Sequence, residues 1–185
     1  MKEFGRGYTG HMLEHENLGE MTKEGKERYE KFKSMLDYSA PIMDIVRVIE
    51  SCQRDEAINP RRYFSRNLRK EIAKQLNLDL EENPYSVEFY TAVGTLLDSK
   101  YGSDAFVRIK EPGTKFNGLV TIDITENDHK DRSKKANVTV AFPGGSLDET
   151  NREEKEKLDQ IIVSAAEKIC QFIERVKDHY FNKAS

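Results

Sequence analysis

The stretch GLVTIDITENDHK, residues 118–130, decides the fold. Val120, Ile122 and Ile124 alternate with Thr121, Asp123 and Thr125, the two-residue period of a strand with one face in a core. Asp123 therefore faces away from the Val/Ile side. An aspartate in mid-strand is solvated, paired or holding a cation. Upstream, DAFVRI (104–109) alternates in the same way, with Ala105, Val107 and Ile109 on one face and Asp104, Phe106 and Arg108 on the other. Pro112-Gly113 and Asn117-Gly118 lie between the two runs and favour an antiparallel connection. A loop over roughly residues 111–116 pairs residue 110 with 117 and residue 104 with 123. Asp104 and Asp123 then stand opposite one another with Cβ atoms about 5 Å apart, where like charges destabilise a sheet unless something neutralises them. A divalent cation is one account of that pair, since Mg²⁺ takes one or two carboxylates and completes its shell with water and phosphate oxygens. A slipped register that leaves both aspartates solvated is the other.

Outward from this pair, the chain divides into a helical first half, a short β segment and a closing helix. Residues 22–36 are charged, with Tyr29, Phe32 and Leu36 at helical spacing, and APIMDIVRVIESC (40–52) reads as a more buried helix. Asn59-Pro60 supplies a start signal for RRYFSRNLRKEIAKQL, and Asn83-Pro84 supplies another, so a helix is expected over 84–100. ANVTVAF (136–142) reads as a third strand, broken by Pro-Gly-Gly. Thr150 and Glu153 form a capping box for a helix over about 151–180, whose stripe runs through Leu158, Ile161, Ile162, Ala165, Ile169, Phe172, Ile173 and Val176. At 1.5 Å per residue that helix is roughly 45 Å long, so its stripe needs cover from the N-terminal helices or from a second copy in a homodimer. The expected class is α+β with an α/β-like core: a flexible N-terminus (1–20), a helical region (21–82), and a core (83–185) in which a small mixed sheet is flanked by helices. GHMLE (10–14) resembles a cloning-site remnant, which also sets the first dozen residues outside the expected fold.

Composition narrows the function classes. The 185 residues carry 30 Lys and Arg against 33 Asp and Glu, a net charge of −3, which excludes a globally basic nucleic-acid coat but leaves room for a local basic patch. No apolar run approaches the roughly 18 residues of a membrane span, and MKEFGRGYTG has no apolar segment of a signal peptide, so a cytoplasmic protein is expected. Cys52 and Cys170 stand far apart with no Cys/His cluster, which indicates neither a zinc site nor a disulfide framework. His11 and His15 are spaced for one helix face but have no third ligand nearby in sequence. Arg62, Arg66, Arg69, Lys70 and Lys74 crowd one predicted helix and are candidate contacts to a phosphate backbone; a solvated helix face is the alternative.

A helix glutamate, a glycine-linked aspartate opening a strand, and an acid two positions before a polar residue on the next strand together resemble the PD-(D/E)XK nuclease superfamily. The resemblance spans roughly residues 84–142 and rests on Glu88 in VEFYTAVGTLLDSKYG, Asp104 in GSDAFVRI and Asp123 in TIDIT. It implies a metal-dependent nuclease acting on DNA, with Mg²⁺ or Mn²⁺ held by Asp104 and Asp123 and with Glu88 among the catalytic acids. The family lysine two positions after the second acid is Thr125 here, and its role passes to Lys130, or to Lys134 or Lys135, if the polar loop folds back. Threonine can bind a water but brings no charge to a phosphoryl transition state. A non-catalytic interaction or scaffold module that keeps a nuclease-like fold is the alternative function.

Overall fold

The computed structural model describes residues 8–37, 39–126, 136–143 and 145–182, and these form one four-stranded mixed sheet with helices on both faces. The strands are β1 (Val87–Thr91), β2 (Ala105–Lys110), β3 (Asn117–Thr125) and β4 (Val138–Ala141), in that spatial order. The helices are α1 (Tyr8–Leu18), α2 (Lys23–Lys33), α3 (Ile42–Cys52), α4 (Arg54–Ile58), α5 (Tyr63–Gln75), α6 (Leu96–Tyr101) and α7 (Arg152–Asn182). The expected α+β class stands, long closing helix included.

The β2–β3 pairing is antiparallel with Lys110 opposite Asn117 and Ala105 opposite Ile122, the register expected from the alternation. The turn itself belongs to Pro112 and Gly113: Thr114 N–H donates to Glu111 O, and Gly113 has φ +78°, the left-handed position a type II turn reserves for glycine. Asn117 and Gly118 fall inside β3 instead. Gly118 is there for space, because a Cβ would meet Ile173 Cδ1 at 2.5 Å and the Phe116 ring at 2.9 Å.

The expected helix over 84–100 is corrected. Pro84–Ser86 make one 3-10 turn, Val87–Thr91 form β1, and only Leu96–Tyr101 are α-helical. The Asn-Pro signal is a turn here, and Val-Glu-Phe-Tyr-Thr, rich in β-branched and aromatic residues and buried throughout, goes to the sheet. Thr95 then caps α6 by accepting from Leu97 N–H. The Asn59-Pro60 start is shifted too: Asn59 closes α4, and α5 opens at Tyr63. The cap of α7 belongs to Asn151, whose Oδ1 accepts from the N–H groups of Glu153 and Glu154 at 3.0 and 3.4 Å, while Thr150 binds Asp148.

One face of the sheet (Val87, Phe89, Val107, Val120, Ile122) packs on α5 and α7, with Phe64, Leu68, Ile162 and Ile169 filling the layer. The other face carries Tyr90 stacked on Phe106, ring centroids 4.8 Å apart, beneath Ile45 and Ile49 of α3 and Leu97 of α6. Helix α5 supplies the cover expected for the apolar stripe of α7, while Val176 at its far end is 36 % exposed. Residues 8–18, expected to be flexible, form α1, and Leu13 and Leu18 join the main core. Two buried side chains hold β1 in place. Gln53 spans the β1 edge, donating to Thr91 O at 2.7 Å and accepting from Thr91 N–H at 3.2 Å. Arg69, 7 % exposed, donates its Nε to Val87 O at 2.7 Å and its Nη2 to Pro84 O.

Candidate metal centre

The αL turn at Gly102 (φ 59°) ends α6 and swings the chain into β2, so Asp104 arrives just before the strand. Its backbone is fixed on both sides: Asp104 N–H donates to Ile122 O at 2.8 Å, and Asp104 O accepts from Ala92 N–H at 2.7 Å. Its side chain is 3 % exposed by residue, and Oδ2 accepts from Ile124 N–H at 2.7 Å, which leaves Oδ1 for another partner. The β2–β3 ladder ends with Ala105 opposite Ile122, and Asp104 N–H donates to that same Ile122 O, so the expected cross-strand pairing of Asp104 with Asp123 does not form; Asp123, also buried, acts on Asp104 as a nearby charge.

Two further carboxylates reach Asp104. Asp98, in the first turn of α6, is oriented by Gly94 N–H, which donates to its Oδ2 at 2.9 Å. Glu14 comes from α1, which is seated by Leu13 and Leu18 and tied to β1 where Thr91 Oγ1 donates to Gly19 O at 3.0 Å. Glu14, Asp98 and Asp104 each present an oxygen within 4.8 Å of the other two. Opposite oxygens around a Mg²⁺ ion stand about 4.2 Å apart, so the three can share one ion with little side-chain movement. An all-oxygen, all-anionic donor set suits a hard divalent cation and no soft metal.

The electrostatics agree with the geometry. Burial pushes the Asp104 carboxyl up to about 8, and the neighbouring charges of Glu14, Asp123 and Asp98 push the same way against the opposing Ile124 hydrogen bond. At neutral pH without a cation the cluster therefore holds a proton that an ion would displace.

Several expected site residues lie elsewhere. Glu88 sits on β1 opposite Arg108, four residues along the sheet from the level of Asp104, or roughly 13 Å. It is 4 % exposed and accepts from Lys110 Nζ at 2.5 Å, a lysine that is itself exposed to solvent, so it belongs to that ion pair and not to the acidic cluster. Arg69 serves the backbone of β1 as described, and Lys74 pairs with Glu71 at 3.1 Å. Arg62, Arg66 and Lys70 are exposed and follow one another at four-residue intervals, on a single face of α5. Thr125 is buried, with its carbonyl accepting from Phe142 N–H at 2.7 Å. Lys130, Lys134 and Lys135 lie outside the described residues. His11 and His15 meet each other, Nε2 to Nε2 at 3.0 Å, and His15 Nδ1 lies 2.6 Å from Glu20. Sequence reading missed Glu14 and Asp98: α1 carries no continuous apolar stripe, and Asp98 looks like an ordinary first-turn acid. Comparison with protein families, with curated proteins and with solved structures finds no match.

Proposed function

We propose that the chain is a divergent PD-(D/E)XK-type, metal-dependent nuclease acting on DNA phosphodiester bonds. The observation that supports this best is the convergence of Glu14, Asp98 and Asp104 within reach of one ion, with the charge of buried Asp123 acting on Asp104. Glu14, on a helix, takes the part expected of Glu88. A bound Mg²⁺ or Mn²⁺ supplies Lewis-acid activation of the phosphodiester and of the attacking water. Asp104 and Asp98 each have one oxygen pinned by a backbone N–H, so their free oxygens are pre-aimed. Arg62, Arg66 and Lys70 dock phosphates along α5, and one of Lys130, Lys134 and Lys135 provides the ammonium that Thr125 lacks.

The test is nicking of supercoiled plasmid DNA in Mg²⁺ and in Mn²⁺. Glu14→Gln, Asp104→Asn and Asp123→Asn each abolish cleavage. Arg66→Ala and Lys70→Ala leave the chemistry intact but weaken DNA binding, each lowering the slope of log affinity against log salt by about 1. Thr125→Lys raises cleavage. A second reading, the non-catalytic interaction module, is favoured by Thr125 itself. Absence of Mn²⁺ binding by calorimetry, together with no nicking by the native protein or by Thr125→Lys, selects it.

A further inference from the structure

We propose that the groove between β4 and α7 receives an extended, acidic segment of a partner protein, which adds to the sheet beside β4. This surface is distinct from the acidic cluster and stands or falls apart from the nuclease reading.

Topology is the first ground. β4 is the last strand of the sheet, paired with β3 on one side only among the described residues. Because Phe142 N–H donates to Thr125 O, the alternation of a parallel ladder turns the N–H and C=O of Thr139 and Ala141 outward, away from β3. Such a row of backbone groups is a template for one more strand. Beside it lies a groove of about 440 Å³, floored by Pro143, Leu147, Ile161 and Ala165, where alternate side chains of an added strand find apolar cover.

Charge selects the occupant. Lys157 and Lys168 are exposed at the two ends of the groove on one face of α7, eleven positions apart, or about 16 Å. That is the length of about five extended residues, so a carboxylate at each end of such a segment meets an ammonium. In the free protein Lys168 Nζ reaches Thr139 O at 3.4 Å, a long bond that covers an outward carbonyl and yields readily to a carboxylate. A second copy is the poorer occupant, since β4 against β4 about a two-fold axis brings each copy's lysines towards the other's.

Fluorescence anisotropy with labelled five-residue probes tests the assignment: Glu-Val-Thr-Val-Glu, its Lys-Val-Thr-Val-Lys counterpart, and the acidic probe N-methylated at alternate residues. The acidic probe binds, at least about tenfold more tightly than the lysine probe, and loses about tenfold in the Lys157→Glu/Lys168→Glu variant, a size that two surface ion pairs allow. N-methylation on the ladder edge abolishes binding with the protein unaltered, so no question of folding arises. Amide shifts on titration are confined to Thr139, Ala141 and the facing residues of α7. Equal binding of the N-methylated or the lysine probe overturns the proposal. So does a concentration-dependent dimer, seen by light scattering, that Ala141→Pro dissociates.

Discussion

Asp104→Asn isolates the electrostatics of the acidic cluster. The substitution keeps an oxygen acceptor for Ile124 N–H and removes the titrating group. In the native protein the folded Asp104 carboxyl titrates near 8, against an ordinary value of 3.8. The sign follows from the raised value. Below about pH 4 the carboxyl is protonated in both folded and unfolded chains and costs nothing. Between roughly pH 5 and pH 8 the unfolded chain is ionised while the folded one still binds a proton, so stability falls as pH rises, by about 1.4 kcal/mol per unit. Across that window the loss is on the order of 4 kcal/mol. His15, held below its ordinary value by burial against the opposing charge of Glu20, works with the opposite sign on the acid side, and it is common to both proteins. Urea unfolding of native protein and variant at pH 5, 6.5 and 8.5 in EDTA therefore shows the native protein losing stability towards pH 8.5 relative to the variant. Repeating the series in 10 mM Mg²⁺ restores the native protein at pH 8.5 and leaves the variant with less gain. Parallel pH profiles for the two proteins in EDTA would refute the reasoning, because the cluster would then carry no strain for a cation to relieve.

Gln53→Ala leaves the N–H and C=O of Thr91 without their side-chain partner at a buried edge and lowers stability by about 2–4 kcal/mol, measured by chemical unfolding. Gln53→Glu recovers only part of this, since it keeps the acceptor and loses the donor. Gly118→Ala drives a Cβ into Ile173 and Phe116 and costs about 1–3 kcal/mol; the cost shrinks in an Ile173→Val background, where a methyl is removed from the point of collision.

The β2–β3 register was legible because two independent signals agreed, a two-residue apolar period in each strand and a Pro-Gly turn whose length sets the pairing, but it lapses at Asp104, whose N–H goes to Ile122 O. The long α7 was legible for a related reason, its stripe being continuous over many turns. β1 was not. Asn83-Pro84 is a genuine helix-start signal, and a short apolar run such as Val87–Thr91 carries no period of its own when both of its sides are buried. Glu88 was misassigned with it. Arg69 misled in the opposite direction: one cation in a row of five looks like its neighbours, and only the fold brings the Val87 and Pro84 carbonyls to it. Glu14 lay hidden because α1 is held by few apolar residues, chiefly Leu13 and Leu18, too sparse a pattern to distinguish a docked helix from a tail. No helix among the described residues is long and apolar enough to cross a membrane.

The parallel pairing of β4 has a consequence for the order in which the molecule opens. β1, β2 and β3 form an antiparallel meander, whereas β4 returns along the sheet to lie parallel beside β3, at the sheet's edge and only four residues long. Local unfolding therefore begins at β4, where the amides of Val140 and of Phe142 just beyond the strand exchange with solvent sooner than those of β2. Asp123 and Thr125 are the β3 residues opposite Thr139 and Ala141, so each such excursion exposes one side of the acidic cluster while Asp104, anchored from β1 and from β3, keeps its place. Asp123 thus links the acidic cluster to the edge of the sheet that opens first.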